Sequence, residues 1–236
     1  EIYAAIPDPA AQDAIFAQAA GGLFSAALSH AEPQALVRAL ADAAGEGRIR
    51  IWSAHESEES LLAASALGGA MPQDDEDAAV VGALINDGTG GKMDYYTRAS
   101  IATAVGTCAG VPTTQVRVTW SNTAPADAAT SLPPYVTGDG IYGVPAGSVR
   151  TLIAVYGPDG ALPSHIDRDG TEEGVQTTTI GDRSVVQHEV LLAPGASTTI
   201  TVEFQGDGAG ARLTEVQHTP LIVAPKLTRD TLQCGS

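Results

Sequence analysis

Residues 79–108 constrain this chain more than any other stretch. An apolar segment, Ala79-Val80-Val81-Gly82-Ala83-Leu84-Ile85, leads through Asn86-Asp87-Gly88-Thr89-Gly90-Gly91 into a run rich in Tyr, Thr, Ile and Val that ends at Cys108. Two β-prone runs joined by such a turn are a hairpin signal. Upstream the pattern is mostly helical; downstream it is nearly all strand and turn. The fold class read from this is α+β, with an N-terminal helical segment over 1–72 followed by an antiparallel Ig-like β-sandwich over 73–236.

In the upstream part, Asp8-Pro9 supplies an N-cap and an N1 proline. Ile15, Phe16, Leu23, Phe24 and Leu28 then recur at helical spacing, with Gly21-Gly22 as a break or a close contact inside the helix. Pro33 opens a second helix that Gly45 and Gly47 stop. Arg48-Ile49-Arg50-Ile51-Trp52 alternates and reads as a short half-buried strand. Ser57 is the expected cap of a third helix, whose first turn carries Glu58 and Glu59 in keeping with the helix dipole. The acidic run Asp74-Asp75-Glu76-Asp77 lacks the spacing of a Ca²⁺ loop and reads as a solvated linker. Beyond it about eight strands are expected, among them 114–122, 148–156, 175–180, 184–191, 198–204 and 212–223, separated by Gly, Pro and Asp turn signals.

The charge balance excludes some functions. There are 28 Asp and Glu against 12 Lys and Arg, a formal charge of −16, and the cations form no cluster. Phosphate backbones need clustered cations, so nucleic acid is excluded as a partner, and anionic membrane surfaces should repel the chain. No apolar run is long enough to span a bilayer. The chain opens on Glu1, inside what reads as a continuing element, as a piece of a longer protein would, with any export signal or anchor upstream.

Cys108 and Cys234 are the only cysteines. Their separation rules out a CxxC metal or redox motif. They are either a disulfide tying the tail to the β region or two separate thiols; an exposed tail cysteine beside Gly235-Ser236 is a poor core residue, which favours the disulfide. That bridge would imply an oxidising, extracytoplasmic compartment.

No catalytic constellation is visible. The chain has no Gly-x-Ser-x-Gly elbow, and Ser148 after Gly147 leads into a strand. His30, His55, His165, His188 and His218 form no HExxH or close pair and read as surface or structural residues, although His188 and His218 both sit in strands and could approach in space. Asp167-Arg168-Asp169-Gly170 has acids at alternating positions before a glycine, but lacks the third ligand of a calcium loop and reads as an exposed turn. Asn86 to Lys92 superficially resembles a phosphate loop, yet its glycine spacing is wrong, Met93 follows the lysine, and strand rather than helix follows. Asp87, Lys92 and Asp94 are expected to pair around this turn. Carboxylate pairs suited to glycoside hydrolysis are defined in space, not in sequence, and aromatic residues make up only 5% of the chain, which is thin for sugar stacking. No catalytic residue, metal ligand or cofactor-binding residue is therefore assigned, and no cofactor is expected.

Several motifs resemble the C-terminal part of domain-of-unknown-function family 4012. They are Gly47-Arg48-Ile49-Arg50-Ile51-Trp52-Ser53, Leu67-Gly68-Gly69, Leu84-Ile85-Asn86-Asp87-Gly88-Thr89-Gly90-Gly91-Lys92-Met93-Asp94-Tyr95-Tyr96, Thr119-Trp120-Ser121-Asn122-Thr123-Ala124-Pro125, Leu132-Pro133-Pro134-Tyr135-Val136 and Val155-Tyr156-Gly157-Pro158-Asp159-Gly160-Ala161. The resemblance implies an envelope protein of high-GC Gram-positive bacteria, anchored upstream by a membrane helix. It also implies an upstream half similar to the LytR-CpsA-Psr glycopolymer transferases. The pyrophosphate-binding residues of those enzymes have no counterparts here, so no catalytic role carries over.

The function expected is a non-catalytic extracellular module of a cell-envelope protein that binds a wall component or another envelope protein. The alternatives are the C-terminal segment of a glycopolymer transferase or glycan hydrolase whose site lies upstream, and a structural subunit of a surface assembly, for which a homo-oligomer stays open. Clustering of Arg48 and Arg50 with acids in one pocket would favour the enzyme segment.

Overall fold

The computed structural model describes residues 2–30, 32–65, 67–69, 71, 78–174, 176–206 and 213–234. The acidic run 74–77, the turn at 207–208 and the expected linker boundary at 72–73 lie outside them. The chain divides into two compact units, Glu1–Ala70 and Met71–Ser236. Among the described residues no helix is long and apolar enough to cross a membrane.

The first unit is helical: α1 Ile2–Ala5, α2 Pro9–His30, α3 Pro33–Gly45 and α4 Glu56–Ala63. Asp8 caps α2 as expected, its carboxylate accepting the Ala10 N–H at 3.1 Å, and α2 runs through Gly21-Gly22 without a break. Two expectations are corrected. Helix α4 begins two residues earlier, with His55 rather than Ser57 at the cap position; Glu59 and Glu58 reach back to the Ser53 N–H and hydroxyl at 2.8 and 2.6 Å. Residues 48–52 are not a strand. Alternation makes a strand only where a neighbour completes the ladder, and no other strand lies in this unit among the described residues; Ile51 donates a single bond, to the Leu67 carbonyl.

The second unit packs two sheets. Its strands are β1 Ala78–Asp87, β2 Thr97–Cys108, β3 Val111–Asn122, β4 Val149–Asp159, β5 Leu162–Arg168, β6 Thr171–Glu172, β7 Gln176–Ile180, β8 Arg183–Leu192, β9 Ser197–Gln205, β10 Leu213–His218 and β11 Lys226–Arg229. One sheet has the order β10-β1-β4-β8-β7, the other β11-β2-β3-β9-β5-β6. Inward residues at every second position build the core: Ile101, Val116, Val118, Trp120, Ile200, Val202 and Phe204 from one sheet, and Ile153, Val155, Val186 and Val190 from the other, all buried. The Trp120 indole N–H crosses between sheets to the Thr151 hydroxyl at 3.0 Å.

The α+β layout is as expected. The antiparallel Ig-like arrangement is corrected at two edges, where β10 pairs parallel with β1 and β11 parallel with β2. In each pair the two strands lie far apart in sequence, and pairing across such a separation can be parallel where a tight turn forces it antiparallel. The expected strand over 212–223 is shorter, β10 ending at His218.

The expected hairpin is also corrected. β1 and β2 belong to different sheets, so residues 88–96 are a crossover that includes a 3₁₀ turn, Met93–Tyr96. The turn glycines are engaged elsewhere: Gly88 N–H donates to the Arg150 carbonyl at 2.9 Å and Lys92 N–H to the Val136 carbonyl at 2.8 Å. The tight hairpin that β2 does form is with β3, closed by Ala109 (φ 51°) and Gly110 (φ 84°). Two positive φ values at a two-residue loop match the right-handed twist of paired strands. Ala at the first of these positions hid the signal.

Arg183 is the one charge set deep in this core among the described residues, with its side chain 5% exposed. It donates to the carbonyls of Val80 and Gly157 and pairs with Asp159 at 2.9 Å.

Candidate functional site

The outer face of the second sheet carries an unusual polar grid. Because β3 and β9 alternate, the residues between the core positions face outward, and strand register sets them in rows. Gln115 lies opposite Glu203, which lies opposite His165; Arg117 lies opposite Thr201, which lies opposite Asp167; Thr119 lies opposite Thr199. The grid floors a groove of about 610 Å³. The β5–β6 turn, Asp169-Gly170, forms one wall and the tail at Gln233 and Cys234 the other.

The tail is held by covalent and polar contacts. Cys234 is disulfide-bonded to Cys108 at the end of β2, with Cα atoms 5.5 Å apart. Asp230 pairs with Arg117 at 2.9 Å, and Gln233 offers its carbonyl to the Gln115 amide at 3.5 Å. Leu232 lies so close over Gly106 that a Cβ there would come within 2.9 Å of its Cδ2, so only glycine leaves room for the tail. This cover buries Gln115 and Glu203, to 5% and 6% exposure, on a face that would otherwise be open.

Within the groove the side chains order one another. Arg117 donates to Gln115 Oε1 at 3.0 Å, and Gln115 donates to Glu203 Oε1 at 3.0 Å. His165 Nε2 and Asp167 Oδ2 are 3.6 Å apart. Such a relay presents fixed donors and acceptors of both signs and suits a ligand with many hydroxyl or amide groups. Asp169 spends its carboxylate on the Thr198 hydroxyl and Thr199 N–H at 2.8 and 2.7 Å, and Asp167 accepts the Gly170 N–H at 3.0 Å. The acids of the alternating motif thus cap their own turn and neighbouring strand. No group of His, Cys, Asp and Glu among the described residues is arranged to hold a metal ion.

The remaining residues singled out from sequence are dispersed. His188 and His218 lie on β8 and β10, with two strands between them, so the structure does not bring them together. Arg48 and Arg50 are exposed; the first pairs with Glu46 at 2.7 Å and the second reaches backbone carbonyls of Ala44 and Ile49.

His188 is buried, its side chain 1% exposed, with Nδ1 3.6 Å from Glu173 Oε2, a carboxylate also bound by Arg168 at 2.6 Å. Burial first, and Arg168 against the pull of Glu173 and Asp167, lowers its pKa below the ordinary 6.5. A depressed histidine favours the neutral form in the folded state. Its contribution is therefore complete above pH 6.5 and is lost as pH falls from there through the folded value. The expected outcome is a lower urea midpoint at pH 5.5 than at pH 7.5, with His188→Leu flattening the difference in that window. A slope unchanged by the substitution would show that other groups set it.

At the β1–β2 crossover a second recess of about 250 Å³ opens, lined by Ile85, Asp87, Asp94, Thr97, Trp120, Thr151 and residues 219–222. Asp87 and Asp94 do meet here, as like charges and not as a pair with Lys92. The lysine ammonium instead lies over the Tyr135 ring, 5.8 Å from its centroid. Burial and then the Asp87 carboxylate raise the Asp94 pKa above 3.8, with Lys92 opposing. A raised carboxylate lends stability only below about its unfolded value, and loses it as pH rises through the folded one. Asp94→Asn should therefore raise the thermal midpoint at pH 7 and change it little near pH 3. A lower midpoint at pH 7 would contradict this.

No family model matches the chain, and no curated protein sequence does. A similar solved structure is that of a candidate nutrient-binding protein from Legionella pneumophila, 10% identical, with a TM-score of 0.31, covering 62% of this chain and 56% of that one. The match thus spans little more than half of that protein's length, and its TM-score is too low for anything about this chain to follow from it.

Proposed function

We propose that the chain is a non-catalytic, extracytoplasmic module of a bacterial cell-envelope protein, and that it holds a hydroxyl-rich wall component in the groove on its second sheet. The groove carries this reading: donors and acceptors of both signs, locked in rows by strand register and walled by a disulfide-tethered tail. The Cys108–Cys234 bridge supports an oxidising compartment. The resemblance to domain-of-unknown-function family 4012 points to the same place. The fixed side chains favour binding over turnover, since none stands as a nucleophile beside an orienting base.

The test is sedimentation of the purified chain with insoluble cell-wall glycan. Retention is expected, with Arg117→Ala and Thr201→Val each weakening it severalfold while the disulfide and the fold persist. Release of soluble glycan products, or turnover of a lipid-linked pyrophosphate substrate, would overturn the non-catalytic reading. Retention unchanged in both variants would remove the groove from it.

A further inference from the structure

We infer that β7 is a docking edge, which takes an extended, cationic segment of another protein as an added strand of the first sheet. The inference does not rest on the groove.

Among the described residues the edge strands of the two sheets are β10, β7, β11 and β6. A bare edge invites strand addition, so edges are ordinarily kept short, charged, bulged or interrupted by proline. Three of these edges follow that rule. β6 has only two residues, one of them Glu172; β10 carries Glu215; β11 carries Lys226 and Arg229. β7, Gln176-Thr177-Thr178-Thr179-Ile180, does not follow it. It has no charge and no proline, its register with β8 runs without a bulge, and all five residues are exposed. Threonine and isoleucine favour the extended backbone that an added strand needs.

Register fixes which backbone groups face out. Ile180 pairs with Arg183 across the loop Gly181-Asp182, so this pair exchanges both of its hydrogen bonds, as do Thr178 with Val185 and Gln176 with Gln187. Thr177 and Thr179 therefore turn their N–H and C=O groups away from β8, toward the side where no further strand lies among the described residues. A segment laid alongside would bond these groups, as in β-augmentation. The charges at the two ends select its chemistry. Glu172 lies a few residues before β7 and Asp182 in the turn after it; both are exposed, and neither forms an ion pair among the described residues. The nearby arginines are engaged, Arg168 with Glu173 at 2.6 Å and the buried Arg183 with Asp159 at 2.9 Å. A neutral strand with an uncompensated acid near each end suits a segment with an uncharged, β-prone middle and Lys or Arg at its ends. A second copy suits it poorly: two antiparallel β7 strands about a two-fold axis would set Glu172 of each toward Asp182 of the other.

Two-dimensional amide NMR of the whole chain tests this with three blocked seven-residue peptides. One alternates threonine and valine between terminal lysines, one has the same core between glutamates, and one is the lysine peptide with a central proline. The lysine peptide should give saturable shifts at Thr177 and Thr179 below about 10 mM, and should slow exchange of their amide protons about tenfold. The glutamate and proline peptides should do neither. Glu172→Gln and Asp182→Asn should each weaken the lysine peptide severalfold, as should salt raised to about 0.5 M. Thr179→Pro removes an outward N–H that the β7–β8 ladder does not use, so it should abolish binding while the β8 amide resonances keep their positions. Arg117→Ala, in the groove, should leave the titration unaltered, so failure here and failure of the groove are separable. Three results would each overturn the inference: no saturable shift, equal binding of the glutamate peptide, or the same shifts on concentrating the chain alone, which would give the edge to a second copy.

Discussion

Replacing Cys108 and Cys234 together by serine should lower the unfolding free energy of the β unit by about 5 kcal/mol. The bridge joins residues 126 apart in sequence, and in the chain-entropy treatment a loop of that length costs the unfolded state roughly that much when closed. Urea unfolding followed by tryptophan fluorescence measures it. The loss should also be local in its structural consequences. The tail meets the sheet through Asp230 on Arg117, Gln233 on Gln115 and Leu232 over Gly106. Exposed ion pairs of this kind contribute no more than about 1 kcal/mol, so without the covalent tie the tail should open first. Amide exchange over 226–234 should accelerate well before global unfolding, and the groove should lose one wall. An unmoved midpoint would mean that the reduced tail stays docked and that the noncovalent contacts suffice.

The second large effect is expected at Arg183. Its guanidinium is buried and satisfies the Val80 and Gly157 carbonyls as well as Asp159. Arg183→Leu fills similar space but leaves two carbonyls and a carboxylate without this donor. Breaking one side of a buried charged network costs about 3–5 kcal/mol. Lysine keeps the charge and loses the planar fork that reaches three acceptors at once, so Arg183→Lys should be intermediate. The reading is the shift in urea midpoint at constant slope. A leucine variant as stable as the parent would show that the buried carbonyls find other donors or water.

The bridge and the buried arginine differ in how far sequence reveals them. A lone pair of cysteines invites a bridge, and the tail context favoured one. Arg183 follows a Gly-Asp turn and looks like any exposed strand residue; only the packing of β1 and β4 around it makes it a core cation. The groove behaves similarly. Thr199, Thr201 and Glu203 alternate with Ile200, Val202 and Phe204, so the outward face of β9 was legible. That Gln115 and His165 flank Glu203 was not, because register between strands far apart in sequence is set by tertiary pairing. The acids at 167 and 169 were visible as a motif, but whether they would hold a cation or cap a turn depended on the Thr198 and Thr199 donors that β9 brings to them.

The misread hairpin shows the limit most plainly. Asn86-Asp87-Gly88 specifies a reversal, and a reversal is there; local turn chemistry acts over a few residues and sequence reads it well. Whether the next strand returns beside β1 or crosses to the opposite sheet depends on which partner buries more of its apolar face, a choice made by β3 and β4 and by the contacts of Arg150 and Val136 with the turn. By itself the sequence determined the helical-then-β order, the strand alternation that separates core from surface, the acidic balance, and the cysteines able to form the bridge. The tertiary structure alone decided the two parallel edges, the polar rows of the groove and the meeting of Asp87 with Asp94 beside Trp120. The physical reason is range: propensity and periodicity are short-range properties of the chain, whereas register, sheet membership and the desolvation of a charge exist only once distant segments pack.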